Sequence, residues 1–220
     1  MGHAKQNVTL VVEEELLLAA RKVALDQRTS VNQLVREYLA ALVEEPSRRR
    51  LARARLKTAF ETGIVGSVTG SGAVKTFMTG DKDLCFVDTN VLVYGFDKSS
   101  SPKKRVAQRL LTELMEEDRL RVSTQVLQEL FVTLTKKVSQ SCSSEEALAV
   151  LEDLTAWPLM VIDYAAVRAA VGLADQARLS FWDALIVVAA ARTGAAVLHT
   201  EDLNDGQAIL GARICNPFAA

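Results

Sequence analysis

The sequence predicts an α/β protein with a mostly parallel sheet, preceded by a small strand–helix–helix module. Three observations predict it. From Leu84 onward, short apolar runs alternate with helical segments. Before residue 46, one alternating run precedes two amphipathic helical patterns. A Gly/Ser/Thr-rich stretch, Gly63–Asp83, separates the two regimes and reads as a linker.

Composition bounds the class. The chain has 220 residues, 49% hydrophobic and 24% charged, with a net charge of −1. That excludes a disordered chain, a collagen-like repeat and a disulfide scaffold. No strictly apolar run approaches the ~20 residues that span a bilayer. Glu13, Glu14 and Glu15 interrupt the early apolar stretch, so no secretory signal fits. A cytoplasmic protein without a membrane partner is expected. Cys85, Cys142 and Cys215 are odd in number and widely spaced, as reduced thiols would be. Two histidines cannot build a His-rich metal centre. Residues 1–70 hold 11 Lys/Arg against 8 Asp/Glu, while residues 71–220 hold 15 against 19. A basic and an acidic part imply modules with different partners.

The elements follow in order. Asn7–Val12 alternates as a strand. Glu14–Asp26 reads as a helix. Ser30 and Gln33 match a capping box opening a second helix that runs to about Val43, with Pro46 as its stop. So few residues cannot bury their own apolar faces, and no metal or disulfide candidate helps. A dimer is expected, since a lone strand also needs a partner strand. Arg48–Lys57 carries six basic residues in ten. It reads either as a solvated, nucleic-acid-attracting face or as a segment that contacts acids elsewhere. Beyond the linker, strands are expected at 84–87, 120–123, 159–162, 196–199 and 213–214. Helices are expected at 103–117, 124–137, 144–155, 165–176 and 182–193. The organisation is a module at 1–45, a basic helical segment at 46–62, a linker at 63–83 and a sheet domain at 84–220.

Candidate site residues are acids. Open α/β sheets bind ligands at the carboxyl ends of their strands. Asp88 follows the first of these strands, and Glu201, Asp202 and Asp205 follow the fourth. Glu129 and Asp183 sit in unusually apolar helical settings. Each has a structural alternative: a turn at Asp88, an exposed helix acid at Glu129, a capping box with Ser180 at Asp183, and a turn at Asp205-Gly206. If Asp88, Glu129, Asp183 and Asp202 converge, each pair ~4 Å apart repels by about 4 kcal/mol at an effective dielectric near 20. Protons or a cation must answer that repulsion. An all-carboxylate set suits Mg²⁺ or Mn²⁺.

The segments Phe86–Tyr94, Ser123–Glu129, Leu179–Ala184 and Thr200–Gly206, with the closing Asn216-Pro217-Phe218, resemble a PIN domain of the VapC toxin type over about residues 84–218. The resemblance implies a three-layer α/β/α sandwich and Mg²⁺- or Mn²⁺-dependent endoribonuclease activity on RNA. It implies Asp88, Glu129 and Asp183 as metal ligands, Asp202 as the fourth acid with Asp205 as its alternate, and Thr89, Asn90 and Thr200 as pocket support. Residues 5–43 resemble a ribbon-helix-helix module of the CopG/VapB antitoxin type. That implies a dimer, or a higher even-numbered oligomer, whose ribbon reads operator DNA through Lys5, Asn7 and Thr9. Val11 departs from that pattern, and Glu13 is a poor helix cap. By the same resemblance, Arg48, Arg49, Arg50, Arg53 and Arg55 would be inhibitory or nucleic-acid contacts. A rival reading is a DNA-binding autoregulator with a catalytically idle PIN domain.

Overall fold

A computed structural model describes residues 9–62, 83–97, 102–136 and 142–219. The chain divides into two compact units between Ser47 and Arg48.

The first unit is helical. Helix α1 spans Glu14–Asp26, and Glu13 ahead of it makes no side-chain cap bond. A carboxylate on a two-carbon stem caps less well than Ser or Asp. The chain turns at Arg28, which adopts a left-handed φ of 54°, and enters helix α2, Val31–Thr62. Ser30 Oγ accepts the Gln33 N–H at 3.1 Å, while the Gln33 amide donates to Glu37, so the capping box is half made. Among the described side chains of this unit Ala24 alone is buried, and Val11, Leu25, Tyr38 and Val43 stand mostly in water. Thr9–Val12 carries no strand pairing, against the strand expected over Asn7–Val12; Asn7 and Val8 lie outside the described residues. A ribbon strand needs a second strand for its backbone groups, and among the described residues of one copy none pairs with it.

Pro46 does not stop the second helix, which continues to Thr62. Proline removes one backbone donor and strains one turn, and packing downstream can offset that. The packing is extensive. Ala52, Leu56, Ala59 and Phe60 are buried in the same core as the sheet. The Phe60 ring lies 4.8 Å from that of Phe96. Gly95 makes room for it: a Cβ there would stand 2.9 Å from Leu111 Cδ1 and 3.2 Å from the Phe60 ring.

The second unit holds a six-stranded sheet in the order β3-β2-β1-β4-β6-β5. The strands are β1 (Cys85–Val87), β2 (Leu120–Ser123), β3 (Leu159–Met160), β4 (Val197–His199), β5 (Ala208–Ile209) and β6 (Ala212–Cys215). All pairs are parallel except β5 with β6. Every residue of β1 and β4 is buried, as central strands covered on both faces must be. The helices are α3 (Thr89–Phe96), α4 (Pro102–Glu116), α5 (Thr124–Lys136), α6 (Ser144–Leu154), α7 (Tyr164–Ala177) and α8 (Phe181–Arg192). Ser143 and Glu146 form a complete capping box on α6. Helix α8 is buried from Ala184 to Ala190. Part of its surface joins the sheet core and part packs on Ala166 and Ala170 of α7. This is the expected α/β fold with a mostly parallel sheet. Helix α3 and strand β5 were not anticipated. Strand β3 stops at Met160, short of the expected Ile162.

The basic segment is part of this unit. Arg48 bonds Thr155, Arg49 the carbonyl of Ala156 and Arg53 the carbonyl of Met115. Arg55 Nε stands 2.9 Å from each Asp153 oxygen, and Lys57 pairs with Glu116 at 2.6 Å. Gln108 Nε2 takes the carbonyls of Phe60 and Gly95, at 2.7 and 3.0 Å. Phe60 lies in the last turn of α2, where helix carbonyls lack intrahelical partners.

Candidate functional site

Strands β1 and β4 are neighbours, and their carboxyl ends open on the same side because they run parallel. Asp88 follows β1 and caps α3, its Oδ1 accepting the Thr89 N–H at 2.6 Å. Thr200 follows β4 and donates its hydroxyl to Asp88 Oδ2 at 2.7 Å. Asn90 Nδ2 lies 3.1 Å from Asp88 Oδ2, 3.2 Å from Thr200 Oγ1 and 2.9 Å from Asp202 Oδ2. Glu129 enters from α5. Its two oxygens accept the Thr89 hydroxyl and the Gln125 amide, each at 2.9 Å. Asp88, Glu129 and Asp202 therefore belong to one hydrogen-bonded network and line one cavity of about 690 Å³, together with Thr89, Asn90 and Trp182.

The electrostatics follow from burial. Desolvation pushes the Asp88 carboxyl up to about 6, against the lowering bonds from Thr200 and Thr89; the charges of Glu129 and Asp202 push it further the same way. His199, in β4, goes the other way. Burial lowers it to about 4, helped by the positive charges of Arg119 and Arg213. It is a neutral core histidine at pH 7.

The other expected acids are engaged elsewhere. Asp183 sits in the first turn of α8, where its N–H donates to Ser180 Oγ at 3.1 Å and its carboxylate accepts the same hydroxyl at 2.7 Å. It does not line the cavity, although Trp182 beside it does. Only half of the capping-box alternative is made: Ser180 caps the Asp183 N–H, while the Asp183 carboxylate takes the Ser180 hydroxyl in place of its backbone N–H. Asp205 accepts the Asn216 N–H at 2.8 Å, in a turn with Gly206 at φ 78°, and also stays out of the cavity. Glu201 lines the cavity but is occupied by the Tyr94 hydroxyl at 2.9 Å and by the Lys103 ammonium. Arg48, Arg49, Arg50, Arg53 and Arg55 do not line the cavity. Four of them are held against α4, α6 and the turns that follow, where the buried apolar stripe of α2 aims them. Thr9 is exposed, and Lys5 and Asn7 lie outside the described residues. Gln125 and Trp182 line the cavity without being among the residues the sequence marks. The usable signal for Gln125 was its position one helical turn before Glu129 in an otherwise apolar stretch.

The available donors are oxygens: three carboxylates and the buried amide oxygens Asn90 Oδ1 and Gln125 Oε1, neither of which has a hydrogen-bond partner. That donor chemistry fits a hard divalent cation. Among the described residues, no three His, Cys, Asp or Glu side chains close around an ion by themselves. The three cysteines are free. Among the described residues, no helix is long and apolar enough to cross a membrane.

A parallel sheet with acids gathered beyond β1 and β4 defines an α/β protein with an acidic strand-end site. The PIN domain family model matches residues 85–204, and the chain belongs to that family, whose members are in general nucleases. Among solved structures, the chain is similar to a toxin–antitoxin complex from Klebsiella pneumoniae, at 20% identity and a TM-score of 0.47, over 62% of this chain and 99% of that one. It is also similar to VapBC2 from Rickettsia felis bound to a promoter DNA fragment, at 19% identity and a TM-score of 0.45, over 60% and 96% of the two chains. A third similar structure is DNA-bound VapBC from Salmonella typhimurium, at 24% identity and a TM-score of 0.41, over 60% and 97%. No curated protein sequence matches.

Proposed function

We propose that the chain is a toxin–antitoxin-type protein whose PIN domain hydrolyses RNA phosphodiesters with a divalent metal ion. One observation carries this reading: Asp88, buried and raised to about 6, shares a cavity and a hydrogen-bond network with Glu129 and Asp202. Asp88, Glu129 and Asp202 would hold Mg²⁺ or Mn²⁺, with waters completing the shell. Asp183 is the further ligand that the family resemblance implies, and Asp205 the alternate to Asp202. Asp183 is bonded to the N-cap Ser180, and Asp205 accepts the Asn216 N–H in a turn. When bound, the ion lowers the pKa of water and steadies charge on the leaving oxygen. The chain's own residues do the positioning. Thr200 and the Thr89 N–H favour the ionised form of Asp88. Asn90 bridges Asp88 and Asp202 and fixes their spacing. Thr89 and Gln125 grip one oxygen each of Glu129.

The amino-terminal unit is read as a ribbon-helix-helix module for dimerisation and operator binding, with Lys5, Asn7 and Thr9 facing DNA. Its uncovered apolar residues support a second copy as partner, because burying them is favourable. Residues 48–62 are read as a brace built into the nuclease unit, since four of their five arginines are spent on the α4–α6 side.

The test is RNA cleavage by the intact chain in Mg²⁺ and Mn²⁺, beside folded Asp88→Asn and Asp183→Asn variants. Asp88→Asn should lose at least about 100-fold, more than second-sphere changes usually cost. Retention of full cleavage by Asp88→Asn sinks the reading. The second reading, an idle PIN domain in a DNA-binding autoregulator, is favoured by the Ser180–Asp183 bonds. Operator binding without any metal-dependent cleavage would select it.

A further inference from the structure

Trp182 is 61% exposed, yet it lines the acidic cavity. A large aromatic left in water forgoes the burial that α8 gives Ala184 to Ala190. The other aromatic in the cavity wall is already covered. Tyr94 meets Phe218 edge-on at 4.9 Å, carries the Lys103 ammonium 4.6 Å above its ring, and gives its hydroxyl to Glu201. Trp182 has a T-shaped contact with Phe181 at 5.2 Å, and most of the residue stays open.

Its backbone is held by the same side chain that holds Glu129. Gln125 is 3% exposed, and its amide nitrogen lies 2.9 Å from Glu129 Oε1 and 3.4 Å from the carbonyl of Trp182. One buried residue thereby ties the acid to the backbone from which the indole projects. The cavity, about 690 Å³, falls in the ~300–1,000 Å³ range typical of small-ligand sites.

We propose that Trp182 is a stacking platform for a base of single-stranded RNA, placing the adjoining phosphate at Asp88, Glu129 and Asp202, with Gln125 as the positioning residue. The proposal rests on the nuclease reading. Every base offers a π-face, so such a platform is tolerant of sequence, and a duplex hides the faces it needs.

The test uses the intact Asp88→Asn chain, which removes one repulsive charge and prevents cleavage. Fluorescence anisotropy follows a short labelled single-stranded RNA, the same strand as a duplex, and an abasic strand of equal length, all in Mg²⁺. Adding Trp182→Ala should weaken binding of the single strand roughly tenfold and leave the abasic strand within about twofold; Trp182→Phe should keep most of the affinity. Quenching of tryptophan emission by RNA should vanish in Trp182→Phe, because Trp157 is buried. Equal losses on RNA and abasic strands, binding of duplex as tight as single strand, or no RNA binding at all would overturn the proposal. So would a change of mass in Trp182→Ala by sedimentation, which would make the indole an interface between copies. The two readings fail separately. In chains retaining Asp88, binding with this pattern but no cleavage in Mn²⁺ sinks the nuclease alone. Cleavage with KM unchanged by Trp182→Ala sinks the platform alone.

Discussion

Asp153 and Asp88 are both nearly inaccessible carboxylates of the second unit, at 3% and 7% exposure. Asp153, on α6, faces the Arg55 guanidinium of α2, so a cation of the chain itself answers its charge. Asp88, beyond β1, receives neutral donors from Thr89, Asn90 and Thr200 while two further carboxylates press on it. A paired buried charge tolerates its site, whereas one lacking a counter-charge shifts its pKa or recruits an ion. The contrast teaches where the basic segment spends its charge. Four of its arginines hold the seat of α2, and none of them lines the acidic cavity.

The comparison can be broken at four points. The largest effect belongs to the seat itself: Phe60→Ala should cost about 3–5 kcal/mol in urea denaturation. A loss below about 1 kcal/mol would mean that α2 is not integral to the core. Next comes acid. The folded pKa of His199 lies near 4, against 6.5 for the free side chain. Its contribution is therefore complete above pH 6.5 and is lost as pH falls toward 4. That amounts to roughly 3 kcal/mol. His199→Gln should flatten this part of the pH–stability curve. If residues 48–62 share the sheet's cooperativity, hydrogen exchange should show them losing protection together with β4 across the same window. Arg55→Ala should cost about 2–3 kcal/mol by stranding Asp153, and Asp153→Asn in that background should recover part of it.

The smallest effect has the opposite sign. Asp88 is raised to about 6 from 3.8. The folded state therefore binds its proton more tightly, and stability declines as pH rises from about 4 to 6. The full linkage is roughly 3 kcal/mol. Asp88→Asn escapes that decline but must turn its NH2 toward donors that serve a carboxylate oxygen, so it should gain about 2 kcal/mol at pH 7 without metal. Mn²⁺ should raise the Tm of the parent chain and leave that of Asp88→Asn unmoved. Equal shifts in both would remove the ion from this cavity.

Much of the sheet was legible because buried parallel strands are short apolar runs with helical periods between them. Strand β2 falls on the expected residues, and α4–α8 lie within a residue or so of expectation. Helix α3 was not legible. It is short and β-branched, contains Gly95, and is started by the Asp88 cap, a residue that drew attention as a site acid. Strand β5 was hidden because its hairpin turns at Leu210-Gly211, both at positive φ, without the usual Asn-Gly signal. Pro46 misled because packing of the helix beyond it outweighs one lost bond. At the site, Asp88, Glu129 and Asp202 come together, while the local signals at Ser180-Asp183 and Asp205-Gly206 describe caps and turns. Gln125 and Trp182 stayed out of sight because their shared role depends on α5 and α8 meeting in space.

The missing side chain at Gly95 has a consequence for how this polypeptide closes on itself. The tip of Leu111 could swing aside from an added methyl, but the Phe60 ring, packed at a tilt against Phe96, has less freedom to retreat. An alanine there would press on the aromatic end of α2 and loosen the Gln108 bridge between two carbonyls. A single vacant position thus acts as the keyhole through which the end of α2 latches onto the sheet.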